Sequence, residues 1–298
     1  MIKERFVHLI YIPFSGVGVA DMNRKPNWLF DRMDAFFEYT LNSLTNQTNK
    51  TFTLWMSFAP GDKYSKEVEL IQSVLKYRGI NYIMTFDGLM YWDDKFSHKP
   101  MEIVKNAARV IRQAHRTKQW HNIHKTLAGL LVNKNDTLLD RLTKSLDLIK
   151  VYLHDVDWVY LTRLDSDDML RSNVVADIQA SPRDTKRAYT MDRGYMYNAR
   201  TKELAHYAPK TNPPFHTIVF PGAAFFNPVK HIQYYGTFKS HEDIPRVFSA
   251  VRLVGQNYCV VIHSAANQIS TIWDHPYRGE IIDDPQESFK ILQSFGQP

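Results

Sequence analysis

The chain opens on an apolar, β-rich run. Phe6-Val7-His8-Leu9-Ile10-Tyr11-Ile12 is stopped by Pro13, which is the pattern of a buried strand. From Trp28 to Leu44 the period changes: Trp28, Leu29, Phe36, Phe37, Leu41 and Leu44 fall close to helical spacing. Residues 51–56 read as a second strand, ended by Ala59-Pro60-Gly61-Asp62. Ser65 is placed to cap a helix that runs to Tyr77, with Gly79 beyond its end. Residues 81–86 form a third strand. This alternation of strand and helix predicts an open, mostly parallel α/β sheet.

Residues 91–135 are basic and His-rich, and read as a helical or partly irregular insertion in one domain spanning 1–298. A helix over 136–153 then leads into an apolar strand that starts at Asp157 and ends in carboxylates. Further on, short strands are predicted at 187–191, 195–197 and 217–220. Pro221-Gly222-Ala223-Ala224-Phe225-Phe226 reads as a small-residue turn where a ligand can approach the backbone. A helix is predicted to follow Pro245 as far as Leu253, and Tyr258-Cys259-Val260-Val261-Ile262 is the last predicted strand, ending at His263.

Composition narrows the class. With 44% hydrophobic and 23% charged residues the chain has the make-up of a folded protein. Cys259 is its one cysteine, so no internal disulfide forms, which suits a reducing compartment. The sequence carries no signal-peptide pattern and no apolar window of the roughly 20 residues that a membrane span needs. A cytoplasmic protein is expected, with peripheral membrane contact as an option. The net charge of +6 can draw phosphorylated substrates or anionic lipid headgroups. No nucleic-acid partner is expected. Arg112, Arg116, Lys118, Trp120 and Lys125 suit a membrane- or polyanion-facing surface, and His121 with His124 could share a Zn²⁺ ion.

The richest chemistry lies in Thr162-Arg163-Leu164-Asp165-Ser166-Asp167-Asp168. A strand delivers an Asp-x-Asp pair to a sheet edge with both side chains near one face. Carboxylates that close repel each other unless a cation lies between them, and Mg²⁺ or Mn²⁺ takes oxygen ligands while keeping positions for phosphate. The bland alternative is acidic capping of a following helix. His263 at the end of an apolar strand is either a third metal ligand or a histidine satisfied by a backbone partner. Glu242 and Asp243 follow His241 at a helix start, as an acidic cap or as a general base. Arg32 and Arg163 can each grip phosphate through the guanidinium fork.

Three segments of the chain resemble the rhamnosyltransferase family, within the GT-A-type glycosyltransferases. The first runs from Trp28-Leu29-Phe30-Asp31-Arg32 through Phe37-Glu38 and Ser43-Leu44-Thr45-Asn46-Gln47 to Phe52. The second is Arg163-Leu164-Asp165-Ser166-Asp167-Asp168, and the third is Val261-Ile262-His263 with the following Asn267. The resemblance implies a Rossmann-like nucleotide-binding half with a mixed central sheet, fused to a less regular acceptor half. It implies a donor such as a dTDP-, UDP- or GDP-sugar and a glycan or lipid-linked acceptor. By the same resemblance Asp165, Asp167 and His263 would hold Mg²⁺ or Mn²⁺, and Arg32, Arg163, Asp165 and Asp168 would face the donor. Asp243 or Glu242 would be the base of an inverting transfer. The chain departs from the GT-A pattern where an Asp-Asp-Gly-like turn would end the second strand, since it reads Met56-Ser57-Phe58-Ala59-Pro60-Gly61-Asp62 there.

Two other classes also place Asp-x-Asp after a strand or use aromatic surfaces. A haloacid-dehalogenase-like phosphatase has the motif after its first strand, not mid-chain. A carbohydrate- or polyanion-binding protein would present aromatics such as Tyr195, Tyr197, Tyr207 and Phe215 to its ligand.

Overall fold

The computed structural model describes residues 4–15, 27–89, 104, 107–108, 111–112, 115, 138–153, 155–209, 214–235, 241–263, 273–274 and 276–298. The expectations on His121, His124, Trp120, Asn267 and most of the basic insertion lie outside them. Twelve strands are described: β1 Phe6–Pro13, β2 Thr53–Ser57, β3 Tyr82–Thr85, β4 Trp158–Arg163, β5 Met169–Leu170 and β6 Arg187–Thr190, then β7 Gly194–Asn198, β8 Glu203–Tyr207, β9 His216–Pro221, β10 Ser249–Arg252, β11 Tyr258–Ile262 and β12 Arg278–Ile281.

They form two sheets. The larger has the order β10-β6-β9-β4-β1-β2-β3. Strands β3, β2, β1 and β4 are parallel, and β9 joins β4 antiparallel. This is the Rossmann-like half and mixed sheet that the sequence implies. The order reverses at β1, whose neighbours are β2 on one side and β4 on the other. In an open α/β sheet, the carboxyl ends of strands at such a switch point form the ligand crevice.

Strict alternation explains why the sheet is covered on both faces. Ile10 and Ile12 of β1, with Leu54 and Met56 of β2, pack on helix Lys66–Tyr77 and on the helical stretch 28–45. Leu9, Tyr11 and Trp55 point the other way, onto helices Leu138–Tyr152 and Pro228–Tyr235. Ser65 caps its helix as predicted, accepting from Val68 N–H at 3.2 Å. The second sheet, β12-β8-β7-β11-β5, packs on the C-terminal helix Pro285–Ser294 through Ile291, Leu292 and Phe295.

Several expectations are corrected. The helix predicted to reach Leu253 covers Ile244–Val247, and the segment then becomes strand β10. Strand β11 is not the last, because β12 and the helix Pro285–Ser294 come after it. The Pro221–Phe226 turn is a short helix, Gly222–Phe225, and its small residue accommodates the chain itself. A Cβ on Gly222 would sit 1.9 Å from the Val156 carbonyl oxygen. Phe215 and Tyr197 are buried, and Tyr195 and Tyr207 are half-buried, so these aromatics form no exposed platform.

Candidate active site

Strand β4 ends at Arg163, and the acidic loop begins two residues later at the switch point. The loop is held by residues 32–47, from the helical stretch 28–45 and just beyond its end. Arg32 donates from Nε to Ser166 Oγ at 2.6 Å and from Nη1 to Asp167 Oδ2 at 2.9 Å. Thr40 donates to the Asp168 carbonyl at 2.9 Å, and Leu170 N–H donates to Ser43 Oγ at 3.2 Å. Gln47 Nε2 donates to the carbonyls of Leu170 and Arg171, while its Oε1 accepts from Val175 N–H. The first segment of the resemblance is therefore a clamp on the second.

Helix 28–45 is not uniform. Trp28–Ala35 is α-helical, Phe36–Leu41 is a π turn, and Asn42–Thr45 is α-helical again. A π turn inserts a residue into the i→i+4 ladder and rotates the residues beyond it, and such turns are frequent at functional sites. Tyr39 and Thr40 lie in this one. Thr40, Ser43 and Gln47 make one buried polar stripe at spacings of three and four, on an otherwise apolar face.

The third segment arrives from β11. Val261 N–H donates to Asp168 Oδ1 at 3.0 Å, and His263 Nε2 lies 3.1 Å from Asp167 Oδ2. The Tyr39 ring stacks over the His263 ring, 6.4 Å between centroids. All three segments therefore meet at Asp167 and Asp168.

Burial works against the charge of Asp167, but Arg32 and His263 outweigh it and hold its carboxyl below the usual range. Asp168 goes the other way. Burial, then the charges of Asp167 and Asp165, push it well above that range, opposed by the Val261 N–H. Asp165 is the most open of the three, 27% exposed, and receives Arg163 Nη2 at 3.1 Å.

Glu242 and Asp243 are not brought into this cluster by any direct bond described. They sit on a 3₁₀ turn, His241–Asp243, where Asp243 pairs with Arg246 at 2.9 Å. Asp243 makes no side-chain cap to the helix Ile244–Val247. Nearer the acidic loop stands His216, a buried residue that the sequence pattern did not single out. His216 stands opposite Arg163 in the β4–β9 register. Burial, then the Arg163 charge and the nearby His241, lower its pKa to about 3. The polar stripe at 40, 43 and 47 was a readable signal for the clamp; a single histidine at a strand start was not.

The donor chemistry of Asp165, Asp167 and His263 suits a divalent cation, but their arrangement does not. Asp165 faces Arg163, whereas Asp167 and His263 face each other. Among the described residues no group of three or more His, Cys, Asp or Glu side chains is arranged to hold a metal ion. Ser15 Oγ donates to Asp62 Oδ2 at 2.5 Å and accepts from Ala59 N–H. That pair links the ends of β1 and β2, where the Asp-Asp-Gly-like turn is missing. Among the described residues, no helix is long and apolar enough to cross a membrane.

No protein-family pattern matches the chain, and no curated protein does, so the rhamnosyltransferase likeness stays with the three segments. Solved structures of S. aureus TarS share part of its course. TarS 1-349 in complex with UDP is 11% identical, with a TM-score of 0.39 over 88% of this chain and 62% of that one. A second structure of TarS 1-349 is 12% identical, with a TM-score of 0.35 over 86% of this chain and 60% of that one. A further TarS structure is 12% identical, with a TM-score of 0.34 over 88% of this chain and 37% of that one. The chain spans less than two thirds of each. Likenesses this loose carry no argument about chemistry, which rests on the site itself.

Proposed function

We propose that this chain is a glycosyltransferase that moves a sugar from a nucleoside-diphosphate donor to a hydroxyl on a glycan or lipid-linked acceptor. The observation that carries the reading is the convergence of three distant segments on Asp167 at the carboxyl edge of β4. Arg32 and His263 both bond one carboxylate oxygen there, on a segment clamped from Ser166 to Val175. A rigid, charged constellation at the switch point is where an α/β sheet binds a nucleotide.

In this reading Arg32 and Arg163 face the diphosphate, and Asp165 and Asp167 orient those guanidiniums. Charge grows on the diphosphate as the bond to C1 breaks, and preformed guanidinium donors stabilise that charge without reorganising. Asp243, or Glu242 beside it, takes the proton of the acceptor hydroxyl, which attacks C1 from the opposite face and inverts it. A dTDP-, UDP- or GDP-sugar, with rhamnose among the sugars, is the proposed donor. Residues 1–298 act as one transferase domain, with 91–135 as its insertion. No step is routed through a metal, because the residues do not converge on one.

The test is donor turnover. The full chain is incubated with UDP-, dTDP- and GDP-sugars, and the released nucleoside diphosphate is measured. Release from one donor, lost in Asp167→Asn, is the expected result. No release from any donor, together with binding to a glycan array, would move the assignment to a carbohydrate-binding protein.

A further inference from the structure

We infer that Arg32 and Arg163 are the resident cations of this site, occupying the role a divalent metal is expected to fill, so that a nucleoside diphosphate binds without Mg²⁺ or Mn²⁺. The inference rests on the glycosyltransferase reading and goes beyond it.

Each carboxylate of the Asp-x-Asp pair already has an arginine of its own. Arg163 Nη2 is 3.1 Å from Asp165 Oδ1, and Arg32 Nη1 is 2.9 Å from Asp167 Oδ2. The repulsion that would call for a metal between the two carboxylates is thereby answered by two fixed positive charges. Arg32 is held with care: its Nε bonds Ser166 Oγ at 2.6 Å, and its guanidinium lies 5.9 Å from the Trp28 ring centroid. Two bonds and a ring contact fix the plane of a group that would be incidental if its task were plain charge balance. Arg163 is held on the last position of β4, between Tyr11 and His216 in the sheet register.

His263 argues the same way. Its Nε2 lies 3.1 Å from the oxygen that accepts from Arg32. An oxygen accepting from a guanidinium accepts from the imidazole too, so Nε2 carries the hydrogen. Three of the groups expected to be ligands are thus committed to one another or to arginine. Guanidinium is also suited to the replacement, because its planar fork matches two phosphate oxygens at once.

The experiment is calorimetric titration of the full chain with UDP, dTDP, GDP and CDP, first in EDTA and then in MnCl₂. Mn²⁺ alone is followed by electron paramagnetic resonance, which needs no variant. One nucleotide should bind in EDTA, with affinity changed less than about twofold by Mn²⁺. Arg32→Gln should weaken it by about tenfold or more, the size of one charge-assisted contact, and Arg32→Lys should recover part of the loss. Mn²⁺ alone should show no tight site. Binding that appears only with Mn²⁺, or a tight Mn²⁺ site in the free protein, overturns the inference and leaves the glycosyltransferase reading standing. Binding of no nucleotide in either condition overturns both.

Discussion

Val261 gives its backbone N–H to the carboxylate of Asp168, 3.0 Å away, just past the point where β11 loses its β5 neighbour. On that edge β5 pairs with β11 at Tyr258 and Cys259 only. The Asp168 side chain takes the next N–H, so an acidic residue does the work of a strand. The site disfavours its charge, through burial and the neighbouring carboxylates.

Asp168→Asn should therefore be tolerated. An amide oxygen accepts the same hydrogen bond and brings no charge to bury. Asp168→Ala leaves a buried N–H unanswered and should cost about 1–3 kcal/mol. Urea unfolding of the two variants separates them, and equal losses would mean that the bond contributes nothing.

Asp167 is different, because it must stay charged. Removing its carboxylate strands a largely buried guanidinium, which costs about 3 kcal/mol where the burial is complete and less here at 15% exposure of Arg32. Asp167→Asn should keep the fold and reduce donor turnover by about a hundredfold or more, since it misplaces Arg32 and His263. Near-normal turnover in that variant would remove Asp167 from the site.

Gln47 should behave as part of the site although it touches no ligand group. Its amide nitrogen donates to the carbonyls of Ser43, Leu170 and Arg171, and its oxygen accepts from Val175. Gln47→Glu sets a carboxylate against three carbonyls and should destabilise by about 1–3 kcal/mol. Gln47→Ala should loosen the loop and speed hydrogen exchange at Val175. Unchanged exchange there would show that the loop holds itself.

How far the sequence foretold this arrangement depended on how local each signal was. The parallel order of β1 to β4 was legible because buried strands are short apolar runs between turn residues. The acidic loop was legible because three carboxylates after such a run are uncommon. The clamp was half legible: Ser43 and Gln47 belonged to a resemblance, but their role needs partners 123 to 128 positions away in the chain. Strand β12 and the helix Pro285–Ser294 escaped notice, although Asp284 before Pro285 is a readable start: Asp284 accepts from Gln286 N–H at 2.9 Å. The helix predicted to reach Leu253 failed for another reason. Ser249–Arg252 is drawn into the sheet edge beside β6, and pairing there overrides local preference.

Buried histidines give the last prediction, on stability against pH. His231 donates from Nδ1 to the Phe225 carbonyl at 2.8 Å, and its ring lies 4.6 Å from that of Phe220. Burial lowers its pKa from 6.5 to about 4, a shift that the bond to Phe225 only partly opposes. The folded state therefore resists a proton that the unfolded chain accepts. The stability this group contributes is complete above pH 6.5 and is lost as pH falls toward 4. The slope is about 1.4 kcal/mol per pH unit, or about 3 kcal/mol over the window. His8, lowered to about 3 by burial, adds a slope of the same sign. Urea unfolding at steps between pH 7.5 and 5 should show His231→Gln less stable at neutral pH but flatter by about one proton below pH 6.5. Parallel curves for the two proteins would show that His231 titrates alike in both states.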